Sequence, residues 1–234
     1  MTIPTADSRS QSAGDSRIAA KPPQAVRLRR GLLIASPVLA GLLAIAGSIA
    51  DPAAGISGRE MYEIYAANPE AVQVKALALH WSYAFWIAPA LLIVGLVRGR
   101  GAWLANVAGA LGFVGMTTMP GLLFVDFYDS AIGQLHGAEA AVAVSEHMEA
   151  TMWGVPAFAA PGAAGFLLAL PLAALALWRA GLVRWWAPVA AFGAIAAFSL
   201  LSSEVLWGGW ITPACLAVFA VALARATRPA SNAE

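Results

Sequence analysis

The ionisable residues of this chain are sorted by position, and that sorting restricts the fold more than any motif. Six apolar runs lie between Gly31 and Ala224. If they are membrane-spanning helices, the connections between them alternate between two sides. One side then holds Arg9, Arg17, Lys21, Arg27, Arg29, Arg30, Arg98, Arg100, Arg179, Arg184, Arg225 and Arg228, 12 of the 14 basic residues. The other side has only Arg59 and Lys75, yet takes 10 of the 13 acids and all three histidines. Basic connections stay in the cytoplasm, so the second side is expected to be extracytoplasmic.

Composition agrees. Of the 234 residues, 60% are apolar and 12% charged, against about 25% charged in a soluble domain. Mean hydropathy is +0.71. The expected fold is therefore all-α: a polytopic membrane helical bundle of six transmembrane helices with cytoplasmic N- and C-termini, multi-pass in a bacterial cytoplasmic (inner) membrane. Residues 1–30 read as a disordered basic tail, 31–226 as the transmembrane domain and 227–234 as a second tail. No basic patch with interleaved aromatics lies outside the first tail, so nucleic acid is not an expected partner. The single cysteine, Cys215, excludes an internal disulfide and a cysteine-based metal site.

Span one is expected over about Gly31–Ala50, roughly 30 Å of helix. A signal peptide cleaved after Ser48-Ile49-Ala50 is the rival reading, and the long tail and long core favour an uncleaved anchor. Residues 51–75 form the first outer connection. Ser57 and Glu60 have capping-box spacing, which predicts a helix starting near Gly58. Asn68-Pro69-Glu70 has the order of N-cap, first helical position and acidic first turn. The helix it opens becomes span two, about Ala71–Val97. Span three is expected over about Ala102–Val125. Its Gly101, Ala105, Gly109 and its Ala108, Gly112 have small-xxx-small spacing, which predicts close helix packing. The second outer loop, about Asp126–Ala150, contains a helix-forming stretch from Ala138. Span four covers about Thr151–Trp178, where Pro156, Pro161 and Pro171 predict kinks. Spans five and six meet at Trp207-Gly208-Gly209-Trp210. No internal repeat of the inverted transporter type is visible.

Helix rise places His80 about 27 Å from Arg98, and Glu204 about 30 Å from Arg184. Both reach the outer edge of the hydrocarbon layer. Ionisable groups at that depth are costly and usually functional. Asp126 and Asp129 close span three, three residues apart. Glu204, Asp126, His80 and Asp129 are thus the candidate acid–base residues. Trp81, Tyr83, Phe124, Tyr128, Trp153 and Trp207 form a candidate aromatic shell for substrate, although aromatics at this depth also form the ordinary interfacial belt. The loop acids Glu60, Glu63, Glu70 and Glu139 read as solvated surface.

This equipment suits an integral membrane enzyme doing acid–base chemistry on a lipid or isoprenoid: proton-initiated cyclisation or isomerisation, or hydrolysis, at an outer-leaflet site. Expected partners are membrane lipids and an apolar or amphipathic small molecule, and self-association is compatible with the chain. A metal version would draw on His80, His136 and His147 with zinc or copper, but no HExxH or HxxxH pair supports it. The alternatives are a proton- or cation-coupled small-solute transporter, and a non-catalytic membrane subunit or receptor.

The basic tail, the Ala50-Asp51-Pro52 after span one and the acidic loop before span four resemble broad groups of uncharacterised bacterial six-span proteins. That resemblance is architectural and implies no activity. Integral-membrane terpene cyclases, which use acidic residues in small helical bundles, are similar only by analogy, with no motif matched residue by residue.

Overall fold

The computed structural model describes residues 23–201 and 208–227. All regular structure among them is helical: α1 (Gln24–Ala50), α2 (Arg59–Ala67), α3 (Pro69–Ile93), α4 (Ala102–Leu122), α5 (Phe124–His136), α6 (Ala138–Thr151), α7 (Gly154–Arg179), α8 (Trp186–Leu201) and α9 (Gly208–Ala226). The expected tails lie mostly, and Glu204 and Trp207 wholly, outside the described residues.

Six of these helices form a closed ring. α1 packs on α3, α3 on α4, α4 on α7, α7 on α8, α8 on α9 and α9 back on α1, while α3 and α7 also touch across the middle. Their inward faces carry one core of small and aromatic side chains, including Ala40, Trp86, Ala90, Phe166, Ala173 and Phe219. Tyr83, Trp86, Phe166 and Phe198 stack within it, with ring centroids 4.7–6.0 Å apart. Aromatic pairs at this spacing add to simple burial.

Five stretches are long and apolar enough to cross a bilayer: Gln24–Ala50, Pro69–Ile93, Ala102–His136, Gly154–Arg179 and Gly209–Ala226. The chain is therefore a multi-pass membrane protein. The expected fifth span corresponds to α8, whose 16 residues make about 24 Å, short of a full crossing. Its far end runs into residues 202–207, which lie outside the described residues.

Small residues set how closely the ring closes. The predicted stripe does pack: Gly109 lies against Ala90 of α3 and Val94 just past its end, and Gly112 against Ala90 and Ile87. The tightest approach is one further turn along, between α4 and α7. A Cβ built on Gly165 would lie 2.6 Å from the Gly115 backbone nitrogen, closer than any real carbon sits. Prolines are accommodated locally. Pro37 has no N–H to offer Leu33, and the neighbouring Ser36 hydroxyl donates to that carbonyl instead, at 3.4 Å. Pro161 and Pro171 lie inside α7 without ending it.

The remaining helices, α2, α5 and α6, contact one another and form a cap on the end of the ring where α1 finishes and α3 begins; α5 also packs on α3. α6 follows the helix-forming stretch expected from Ala138, while α5 corrects the first half of the expected second outer loop. Residues 124–151 are almost continuously helical, broken only at Gly137, whose φ of +86° is a conformation other residues avoid. The α2 start is also different in detail. α2 begins at Arg59 after Gly58, with no side-chain cap, so the expected Ser57–Glu60 capping box does not form. Asn68 precedes Pro69 as expected, but its amide donates backwards to the Ile64 carbonyl at 2.9 Å, closing α2 rather than opening α3.

Candidate functional site

The ionisable groups expected to converge are divided between two places. The first is a charged node beneath the cap. Lys75 lies in the second turn of α3 and is only 8% exposed. Its ammonium is 3.1 Å from Asp126 Oδ2 on α5 and 3.7 Å from Asp51 Oδ2, just past the end of α1. It also donates to the Tyr65 hydroxyl of α2 and lies 4.6 Å from that ring's centroid. A buried ammonium needs such partners, because leaving water costs several kcal/mol per ion. Asp51 is held in turn by the Ala53 N–H at 3.1 Å. Ser130 of α5 donates to the Tyr65 carbonyl at 2.9 Å. Four elements thus meet at one cation. Burial holds the Tyr65 phenol above its ordinary range, against the opposing pull of the Lys75 hydrogen bond and charge.

This arrangement changes the role expected of Asp126. With an ammonium at 3.1 Å, Asp126 serves as a counter-charge. Lys75, expected at the end of the first outer connection, is the centre of the node. The signal was present: Lys75 lies inside the helix opened by Asn68-Pro69, flanked by Val74, Ala76 and Leu77.

The second place is a groove on the outside of the bundle. His80 sits on α3, and its Nδ1 is 2.9 Å from the carbonyl oxygen of Pro120. Pro120 is in the last turn of α4, where carbonyls lack helical partners. A carbonyl only accepts, so Nδ1 donates in this bond, and Nε2 is the nitrogen that would accept in the neutral ring. His80 lines a cavity of about 160 Å³ together with Leu77, Trp81, Pro120, Phe124 and Phe127. Leu77, Trp81 and Phe124 are each about half exposed, so the mouth of the cavity is apolar. Next to it, sharing Phe127, is a larger cavity of about 370 Å³ between α3 and α5, lined by Gln73, Ser130 and Gln134.

The other expected residues are dispersed. Asp129 is half-buried on α5. Of the aromatic shell, Trp81 and Phe124 line the groove, whereas Tyr83 is stacked on Phe166 in the core. Tyr128 and Trp153 are exposed, Trp153 at 82%. His136 and His147 are exposed on α5 and α6. Among the described residues no group of three or more His, Cys, Asp or Glu is placed to hold a metal ion, so His80, His136 and His147 do not assemble. Glu60, Glu63, Glu70 and Glu139 are exposed, as expected. Arg59 pairs with Glu63 at 2.8 Å and with Glu139, tying α2 to α6 across solvent.

No family model, curated protein or solved structure matches the chain.

Proposed function

We propose that this protein is a bacterial inner-membrane enzyme that hydrolyses a lipid ester or amide at the outer-leaflet rim, with His80 as general base. The observation that carries the reading is the His80–Pro120 hydrogen bond. It places a proton on Nδ1, so that in the neutral ring Nε2 is the nitrogen able to take one, in a side chain that lines an apolar groove. A general base must be neutral, oriented and within reach of its substrate. The half-exposed Leu77, Trp81 and Phe124 suit entry sideways from the bilayer.

Hydrolysis suits these residues better than proton-initiated cyclisation. Cyclisation needs a strong acid facing the substrate, and Asp126 is engaged by Lys75 instead. In hydrolysis, His80 takes a proton from water as the water oxygen attacks the acyl carbon. The tetrahedral intermediate then expels the alkoxide or amine, which receives that proton from His80. The products are a carboxylic acid and an alcohol or amine.

The test uses purified protein in vesicles of total bacterial lipid extract, in water enriched in oxygen-18. Wild type should release fatty acid carrying the label. His80→Asn should lower the rate by about 100-fold or more, the usual size of a general-base contribution. No labelled acid from wild type, or equal release by the variant, would overturn the reading.

A further inference from the structure

The geometry points to the Gln73–Ser130–Gln134 cavity as a subsite for the uncharged, hydroxyl-bearing head of a neutral lipid such as a diacylglycerol, with its chains passing Phe127 into the His80 groove. The two cavities share Phe127, so one amphipathic molecule can occupy both. Gln73 and His80 are seven residues apart on α3, about 10 Å along the helix axis. That distance, less the reach of the two side chains, separates a glycerol hydroxyl from its ester carbonyls.

The chemistry of the lining selects the head. Among the described residues, no Lys, Arg, Asp or Glu lines either cavity. The Gln73 amide donates one N–H to the Pro69 carbonyl at 3.2 Å, and the Gln134 amide donates one to Ser130 Oγ at 3.5 Å. The Ser130 hydroxyl is itself committed to the Tyr65 carbonyl. Each carboxamide therefore keeps an accepting oxygen and one N–H. A hydroxyl both donates and accepts, and it matches this pair. A phosphate head presents only acceptors, would face two carbonyl oxygens, and would meet no lining cation to compensate its charge.

This assignment rests on the hydrolase reading for the chemistry after binding, but the binding itself is measured separately. Full-length His80→Asn protein, which cannot consume its ligand under that reading, is placed in nanodiscs with trace dioleoylglycerol or dioleoylphosphatidic acid. The two probes share their chains and differ in the head. Each carries a photoactivatable group on one chain. Crosslinking to peptides containing Gln73 or Gln134 should favour dioleoylglycerol by about tenfold or more. Gln134→Lys in the same background should erase or reverse that preference, by supplying the cation a phosphate needs. Equal crosslinking of both probes, or a preference that Gln134→Lys leaves unchanged, would overturn the subsite. If the preference holds while labelled water shows no hydrolysis, the subsite stands and the enzymatic reading falls. If hydrolysis holds without the preference, the reverse is true.

Discussion

The ammonium of Lys75 and the carboxylate of Asp126 lie 3.1 Å apart beneath the cap, and this contact pins α5 to α3. Both side chains are largely buried, at 10% and 17% exposure. Coulombic attraction between them is screened less than on a surface. The node is thus a structural joint between the ring and the cap. It keeps α5 beside α3, where the two helices enclose the groove.

Removing one member of this joint should be costly. Lys75→Met leaves Asp126 and Asp51 without their cation and should destabilise the fold by about 3 kcal/mol, as breaking a buried pair does. Lys75→Met combined with Asp126→Asn should cost less than the sum of the single changes, because the orphaned charge is gone. Thermal unfolding in detergent, followed by circular dichroism, measures both. Additive losses would show that the pair is not coupled.

Tyr65 sets an alkaline limit on stability. Burial raises its phenol above the ordinary value of 10.0, among neighbours Lys75, Asp51 and Asp126. Below about pH 10 the phenol is neutral in both folded and unfolded chains, and its contribution is complete. Above that, the unfolded chain ionises first and holds fewer protons, so stability falls as pH rises through the folded value. Tyr65→Phe should flatten this part of the pH–stability curve above about pH 10. An unchanged slope would exclude Tyr65 as its source.

The α4–α7 crossing tolerates no side chain at Gly165. Gly165→Ala forces a methyl group against the Gly115 backbone. Neither helix backbone can yield cheaply, so the expected loss is about 2 kcal/mol, typical of overpacking. Gly121→Ala is the control. A Cβ there meets nothing within 4 Å, and its melting temperature should match or exceed that of wild type.

The His80–Pro120 bond predicts a division between folding and turnover. His80→Phe removes one donor to a carbonyl near the end of α4 and should cost about 1 kcal/mol. Release of labelled acid should fall far more steeply than that loss of stability allows. Melting curves and oxygen-18 incorporation on the same preparations compare the two.

Much of the architecture is legible in the chain itself. Long charge-free stretches must be helices in a bilayer, because each backbone N–H and C=O has to be satisfied within its own segment. That local requirement located α3, α4 and α7 to within a few residues, whereas α1 begins at Gln24, seven residues before the expected Gly31 and inside the stretch read as a disordered tail. The stripe from Ala105 to Gly112 announced close packing, since only small residues admit it. In the Asp126–Ala150 region the stretch from Ala138 was legible as α6, but α5 was not: its polarity suggested a loop, and it is a cap helix packed on α2, α3 and α6.

The candidate site divides along the same line. His80 was identifiable from its depth in an apolar helix, a property of one segment counted from Arg98. Its partner was not identifiable. The Pro120 carbonyl is available only because α4 ends two residues later, 40 positions along the chain from His80. Lys75 was not recognisable as a site residue, because nothing local reveals that Asp51, Tyr65 and Asp126 arrive from three other elements to neutralise it. Segment polarity and helix length are written residue by residue in the chain. Which charge meets which, and which glutamines border a common cavity, depends on how the helices pack, and packing is a sum of long-range contacts that no single segment contains.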